Sequence, residues 1–117
     1  MMDSRRILLV EDDVLIGMML VDMFDALDLP EPAQATSNEE ALAIIAAEPI
    51  AGALVDINLG DEKGWPVADA LAERDIPFAF TSGGGDVIPP AHVHRRLVNK
   101  PFRINDIERA LDEFFAE

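Results

Sequence analysis

The chain has 117 residues, half of them hydrophobic, with a formal net charge of −14 and no cysteine. That length fits one domain with a real core rather than two, and the hydrophobic content excludes disorder. The nine basic residues are scattered over an acidic background, which argues against nucleic acid or anionic membrane as a direct partner; the missing thiols exclude disulfides, thiol catalysis and Cys-ligated metals.

The opening Met1-Met2-Asp3-Ser4-Arg5-Arg6 precedes only four apolar residues, too few for a signal-peptide core or a membrane span. With no cysteines to oxidise, the expectation is a soluble, cytoplasmic protein. Those four residues, Ile7-Leu8-Leu9-Val10, form a continuous branched run that reads as a central strand, ending at Glu11-Asp12-Asp13. Asp12 or Asp13 can cap the helix that follows, from Val14 to about Leu27. Eleven of those fourteen residues are apolar, which leaves Gly17, Asp22 and Asp25 to face water. Such a helix is either sandwiched in a core or keeps part of its surface for a partner.

Leu29-Pro30-Glu31-Pro32 breaks that helix, and Ala33-Gln34-Ala35-Thr36 reads as a weak strand at or near an edge. Ser37-Asn38-Glu39-Glu40 has capping-box spacing and opens a helix over Asn38 to Glu48, which stops before Pro49. Ala51-Gly52-Ala53-Leu54-Val55 reads as a strand buried on both faces, with Asp56 at its end and a Gly-rich loop beyond. Pro66 suits the first turn of a helix reaching about Arg74. Phe78-Ala79-Phe80-Thr81-Ser82 is a strand that dies in Gly83-Gly84-Gly85, and Pro89-Pro90 forbids a regular helix across 86–96, leaving a short turn at most. Arg96-Leu97-Val98-Asn99 makes a fifth strand. A second capping box, Asn105-Asp106-Ile107-Glu108, opens a last helix running to about Ala116. Strands alternating with helices imply an α/β fold, a parallel sheet covered on both sides in one domain over 1–117.

In such a sheet the carboxyl ends of the strands share one edge, where ligands bind. The first strand ends in Glu11-Asp12, the third in Asp56, the fourth in Thr81-Ser82 and the fifth in Lys100. Taken singly, the acids read as helix caps, Ser82 as a turn residue and Lys100 as a solvated charge. Taken together, they are three carboxylates that cannot all stay ionised without a cation. Oxygen-only ligands with room for water and a phosphoryl group favour Mg2+. A carboxylate nucleophile beside Mg2+, with a hydroxyl and an ammonium for phosphoryl oxygens, is equipment for making an aspartyl phosphate on Asp56. His92 and His94 have no acidic or Cys companions nearby in sequence, so metal binding or phosphotransfer is not expected of them.

The stretches Leu9-Val10-Glu11-Asp12-Asp13, Val55-Asp56-Ile57-Asn58-Leu59, Phe80-Thr81-Ser82-Gly83 and Asn99-Lys100-Pro101-Phe102 resemble the receiver domains of two-component response regulators, over essentially the whole chain. The resemblance implies a flavodoxin-like, doubly wound, five-stranded parallel sheet of order 2-1-3-4-5 with flanking helices. It places the family's acid pair on Glu11 and Asp12, with Asp13 as runner-up, and its phosphoacceptor on Asp56. The Asn58 backbone carbonyl would join the Mg2+ ligands, Ser82 rather than Thr81 would be the switch hydroxyl, and the family's lysine would be Lys100, joined to Pro101 by a cis bond. Three departures stand out. Leu97 replaces the usual aromatic switch residue, Gly60 stands where proline is usual, and the fourth helix is expected to be short or irregular. With Pro77-Phe78-Ala79-Phe80 and the glycines after Ser82, they look like the subclass nicknamed FAT GUY, matched in part.

On these 117 residues a receiver alone is expected, without an effector domain. The expectation is therefore a single-domain response regulator in a phosphorelay, taking phosphate from a histidine kinase or histidine phosphotransfer protein and acting on a downstream protein target. It would catalyse only its own phosphorylation and dephosphorylation. Donor docking would use the first helix, with Phe102 and Ile104 bordering the same cleft, and signalling would order the 83–96 loop. The rivals are a receiver-like scaffold that works without phosphorylation and a Mg2+-dependent phosphohydrolase using Asp56 as nucleophile; the second would need an acid at Asn58.

Overall fold

The computed structural model describes residues 5–115. The strands are β1 (Arg6–Val10), β2 (Ala33–Ala35), β3 (Ile50–Asp56), β4 (Asn58–Leu59), β5 (Glu62–Lys63), β6 (Phe78–Ser82) and β7 (Leu97–Asn99). The helices are α1 (Val14–Ala26), α2 (Asn38–Ala47), α3 (Trp65–Glu73) and α4 (Ile104–Phe114), with a 3-10 turn at Pro90–His92. Five strands form one parallel sheet in the order β2-β1-β3-β6-β7. Leaving out the small β4-β5 hairpin, this is the expected 2-1-3-4-5 order.

Strand alternation builds the two halves of the core. Leu8 and Val10 of β1, Ala53 and Val55 of β3, and Phe78 and Phe80 of β6 face one side, packed against Ala41 and Ile45 of α2 and Val67 and Leu71 of α3. Leu9, Leu54, Ala79 and Val98 face the other, against Leu20 and Phe24 of α1 and Ile107, Ala110 and Leu111 of α4. β3 is buried along its whole length, as its uninterrupted apolar run predicts.

The caps of α1 and α2 are among those expected, while the rest of the first capping box and the start of α4 differ. Asp13, not Asp12, caps α1: its Oδ1 accepts the amides of Leu15 at 2.9 Å and Ile16 at 3.2 Å. Ser37 caps α2 through the Glu40 amide at 3.1 Å. The Glu40 carboxylate does not close the capping box, because it takes the Thr36 amide at 2.7 Å and the Thr36 hydroxyl at 2.6 Å instead. α4 begins before the expected box at Asn105; its cap is Arg103, whose amide donates to the Asp106 carboxylate at 3.0 Å. The expected end near Ala116 lies outside the described residues.

Gly17, expected to face water, is buried, and a Cβ there would sit 3.7 Å from Gln34 Oε1. The helix is rotated so that Val14, Leu15 and Met18 are the exposed residues of its first turns, at 70%, 77% and 59%. Among the described residues no helix is long and apolar enough to cross a membrane.

Two segments have more structure than their sequence suggests. The loop after Asp56 folds into the β4-β5 hairpin, pairing Asn58 with Lys63 and Leu59 with Glu62. Gly60 sits at φ 66 in the first of its two turn positions, where a left-handed residue is needed. The 86–96 segment, legible only as a short turn, is pinned by His92, which is buried between Phe78 and Phe80 with ring centroids at 5.8 and 5.9 Å. The acidic companion that His92 lacks in sequence comes from α3: Asp69 Oδ1 lies 2.7 Å from Nε2. The Arg95 guanidinium lies over the Phe78 ring at 4.3 Å. His94 is exposed.

Candidate functional site

The carboxyl ends of β1, β3, β6 and β7 bring the predicted residues to one edge. Asp56 closes β3 and is 3% exposed, next to Thr81 across the β3-β6 pairing. Its Oδ1 accepts the Asn58 amide at 3.0 Å and its Oδ2 accepts the Lys100 ammonium at 2.8 Å. Lys100 follows β7 directly, and its amide donates to the Ser82 carbonyl at 2.8 Å, which extends the sheet pairing to the site. The Lys100-Pro101 bond is cis.

Glu11, Asp12 and Asp56 each offer a carboxylate oxygen within 4.8 Å of the others. Because Asp13 does the capping, Asp12 is left exposed and free to point into this group. Glu11 is buried, with Oε2 accepting the Asp13 amide at 3.1 Å. Its Oε1 is 3.0 Å from the Lys100 ammonium yet makes no hydrogen bond of good geometry. Burial first, and the Asp56 carboxylate next, push the Glu11 carboxyl up to about 7, against the pull of the Asp13 amide and Lys100. Burial by itself would lower the Lys100 ammonium, but the Asp56 and Glu11 carboxylates outweigh it and hold it above its ordinary value.

This group fits a hard divalent cation. Glu11 Oε1 is a buried oxygen with a lone pair to offer, and all the side-chain donors are carboxylate oxygens, the ligand set that suits Mg2+.

Ser82 is fully buried, and its hydroxyl donates to Asp86 while accepting the Gly84 amide at 2.9 Å. Leu97, at the other expected switch position, is 38% exposed and lies beside Phe80 in the β6-β7 register. Lys63 and Asp86 escape any reading based on strand ends, since neither closes a strand of the parallel sheet. Lys63 hydrogen-bonds to the Asn58 side-chain carbonyl and lies 3.5 Å from Asp86. The only sequence signal for Asp86 is its place directly after three glycines, which let the chain turn back on itself.

Comparison with known proteins agrees with this geometry. No protein-family model matches the chain, and no curated protein does. The solution structure of SdrG from Sphingomonas melonis Fr1 superposes with a TM-score of 0.85 at 39% identity, covering 99% of this chain and 100% of SdrG. The BeF3-activated conformation of SdrG, from Pseudomonas melonis Fr1, gives 0.81 at 39% identity, covering 97% and 100%. The receiver domain of the response regulator PhyR from Erythrobacter litoralis gives 0.75 at 28% identity, covering 95% of this chain and 89% of that one. A chain with this sheet, this acidic edge and this degree of identity belongs to the receiver domains of two-component response regulators.

Proposed function

We propose that the chain is a single-domain response regulator that accepts a phosphoryl group on Asp56 from a phosphohistidine donor, in a Mg2+-dependent reaction, and thereby switches its contacts with other proteins in the cytoplasm. The observation that carries this reading is the state of Asp56. It is a buried carboxylate held in one orientation by the Asn58 amide and the Lys100 ammonium, with two further carboxylates within 4.8 Å.

Glu11, Asp12, Asp56 and the Asn58 backbone carbonyl would hold Mg2+, whose charge would offset that of the incoming phosphoryl oxygens. An Asp56 oxygen forms the new P–O bond as the P–N bond to the donor imidazole breaks, and the ring, protonated beforehand on its other nitrogen, leaves with the bonding pair as neutral histidine. Lys100 hydrogen-bonds to the unmodified carboxylate, which supports its role of following the charge onto a phosphoryl oxygen. The Ser82 hydroxyl, at the next strand end, supplies a neutral donor to another. Hydrolysis runs the P–O cleavage with water as acceptor, so the chain turns over only its own modification. The Asn58 carboxamide is too weak an acid to protonate a leaving alcohol, which disfavours turnover of small phosphoesters. The exposed Val14, Leu15 and Met18 beside the site offer apolar surface to the donor.

The test is intact mass after incubation with Mg2+ and acetyl phosphate. One hydroxylamine-labile phosphoryl adduct on the wild type and none on Asp56→Asn supports the reading. An adduct that persists in Asp56→Asn overturns it.

A further inference from the structure

Asp86 neither closes a strand nor joins the Glu11, Asp12 and Asp56 group, yet it is tied into the same edge. Its Oδ1 accepts the Asn58 side-chain amide at 3.0 Å, and Oδ2 accepts the same amide at 3.2 Å together with the Ser82 hydroxyl. Lys63 lies 3.5 Å away. The side chain is only 11% exposed. The loop reaches this place because Gly84 and Gly85 take left-handed φ of 110 and 77. A Cβ at either glycine would meet nothing within 4 Å, so backbone conformation, not space, calls for glycine there.

A hydroxyl, an amide and an ammonium converging on a carboxylate make an anion site that the chain fills with its own side chain. Ser82 has one proton to donate, and it goes to Asp86. A phosphoryl oxygen on Asp56 calls for that same proton. Asn58 bridges the two carboxylates directly, its backbone amide on Asp56 and its side-chain amide on Asp86. A phosphoryl dianion at Asp56 therefore meets an anchored anion that already holds its donor.

We propose that Asp86 is an internal stand-in for the phosphoryl group: it holds the Ser82 hydroxyl and the Asn58 amide while Asp56 is unmodified, and it is expelled with the 83–87 loop when the phosphoryl group takes them. The proposal rests on Asp56 being the acceptor. It makes Asp86 a positioning residue that sets the threshold for modification. The Ser82 hydroxyl first, and Asn58 next, hold the Asp86 carboxyl below its ordinary value, so it stands in the site as an anion. The far end of the loop stays fixed, because His92 is buried against Phe78 and Phe80 and held by Asp69. Movement is thereby confined to the stretch carrying Val87, which is 89% exposed. The 83–96 segment is thus tied down before modification, and the switch is a release rather than the ordering its glycines and prolines suggest.

Beryllofluoride with Mg2+ serves as the probe, titrated into the wild type, Asp86→Asn and Asp86→Ala by calorimetry, with amide exchange followed in parallel. Both variants are expected to bind about tenfold tighter, as removal of one nearby negative charge implies. Amides 84–86 should exchange faster in the wild type once beryllofluoride binds, and should already exchange fast in the free variants. Unchanged or weaker affinity in both variants overturns the proposal, whatever their phosphoryl lifetime. So does a gain of protection at 84–86 in the bound wild type, a readout that needs no variant to fold. Failure of the wild type to bind beryllofluoride at all overturns the acceptor reading and this proposal with it.

Discussion

Glu11 carries the electrostatic cost of the site. Its folded-state value near 7 lies above the ordinary 4.5, so between those values the folded chain binds more protons than the unfolded one. Its contribution to stability therefore falls as pH rises through that window. Glu48 and Glu113 work the other way. Arg6 and Arg96 hold them below 4.5, so what they contribute is present above that value and lost as acid titrates them. Both are exposed pairs and each is worth little. The sum predicts that, in the presence of a chelator, the melting temperature peaks near pH 5 and declines toward pH 8. Net charge of −14 adds to that decline by self-repulsion, so the comparison that isolates Glu11 is Glu11→Gln, which keeps the shape and removes the titration. Thermal unfolding across pH should show the variant losing less than the wild type between pH 5 and 8. Parallel curves would show that Glu11 is not strained in the fold.

At the scale of elements, the hairpin after Asp56 is held against the strand it follows. The Gly64 amide donates to the Ile57 carbonyl at 2.8 Å, and a Cβ on Gly64 would lie 2.7 Å from the Asp56 carbonyl oxygen. Its φ of −76 is open to any residue, so space against backbone demands glycine here. Gly64→Ala should cost about 1–3 kcal/mol in denaturant unfolding, the range for overpacking against atoms that cannot turn aside. A variant as stable as the wild type would mean that the hairpin shifts freely, and the rigid support given to Asp56 would fall with it. The elements that were legible in sequence are those whose pattern is local. The branched runs of β1 and β3 and the prolines that bound the helices say where each begins and ends. The hairpin was not legible, because Gly60-Asp61 signals a turn only once the strands on either side are long enough to notice. The same limit explains the capping errors: Glu40 prefers Thr36 and Arg103 precedes the expected start of α4, choices made by geometry that spacing alone does not encode.

For the whole molecule, the site is readable because a parallel sheet turns distant strand ends into neighbours. Glu11, Asp56 and Lys100 are far apart in sequence, and a rule of topology is enough to gather them. Lys63, Asp86 and the His92-Asp69 contact were not readable, since each depends on where a loop folds back, and no strand end marks it. Phosphorylation of Asp56 is read out by borohydride trapping after incubation with a phosphorylated histidine phosphotransfer domain and Mg2+, followed by peptide mapping. Reduction converts an aspartyl phosphate to homoserine. Homoserine is expected at position 56 and nowhere else, with none in Asp56→Asn. Phosphate recovered on His92, His94 or another carboxylate, with Asp56 unchanged, would contradict it.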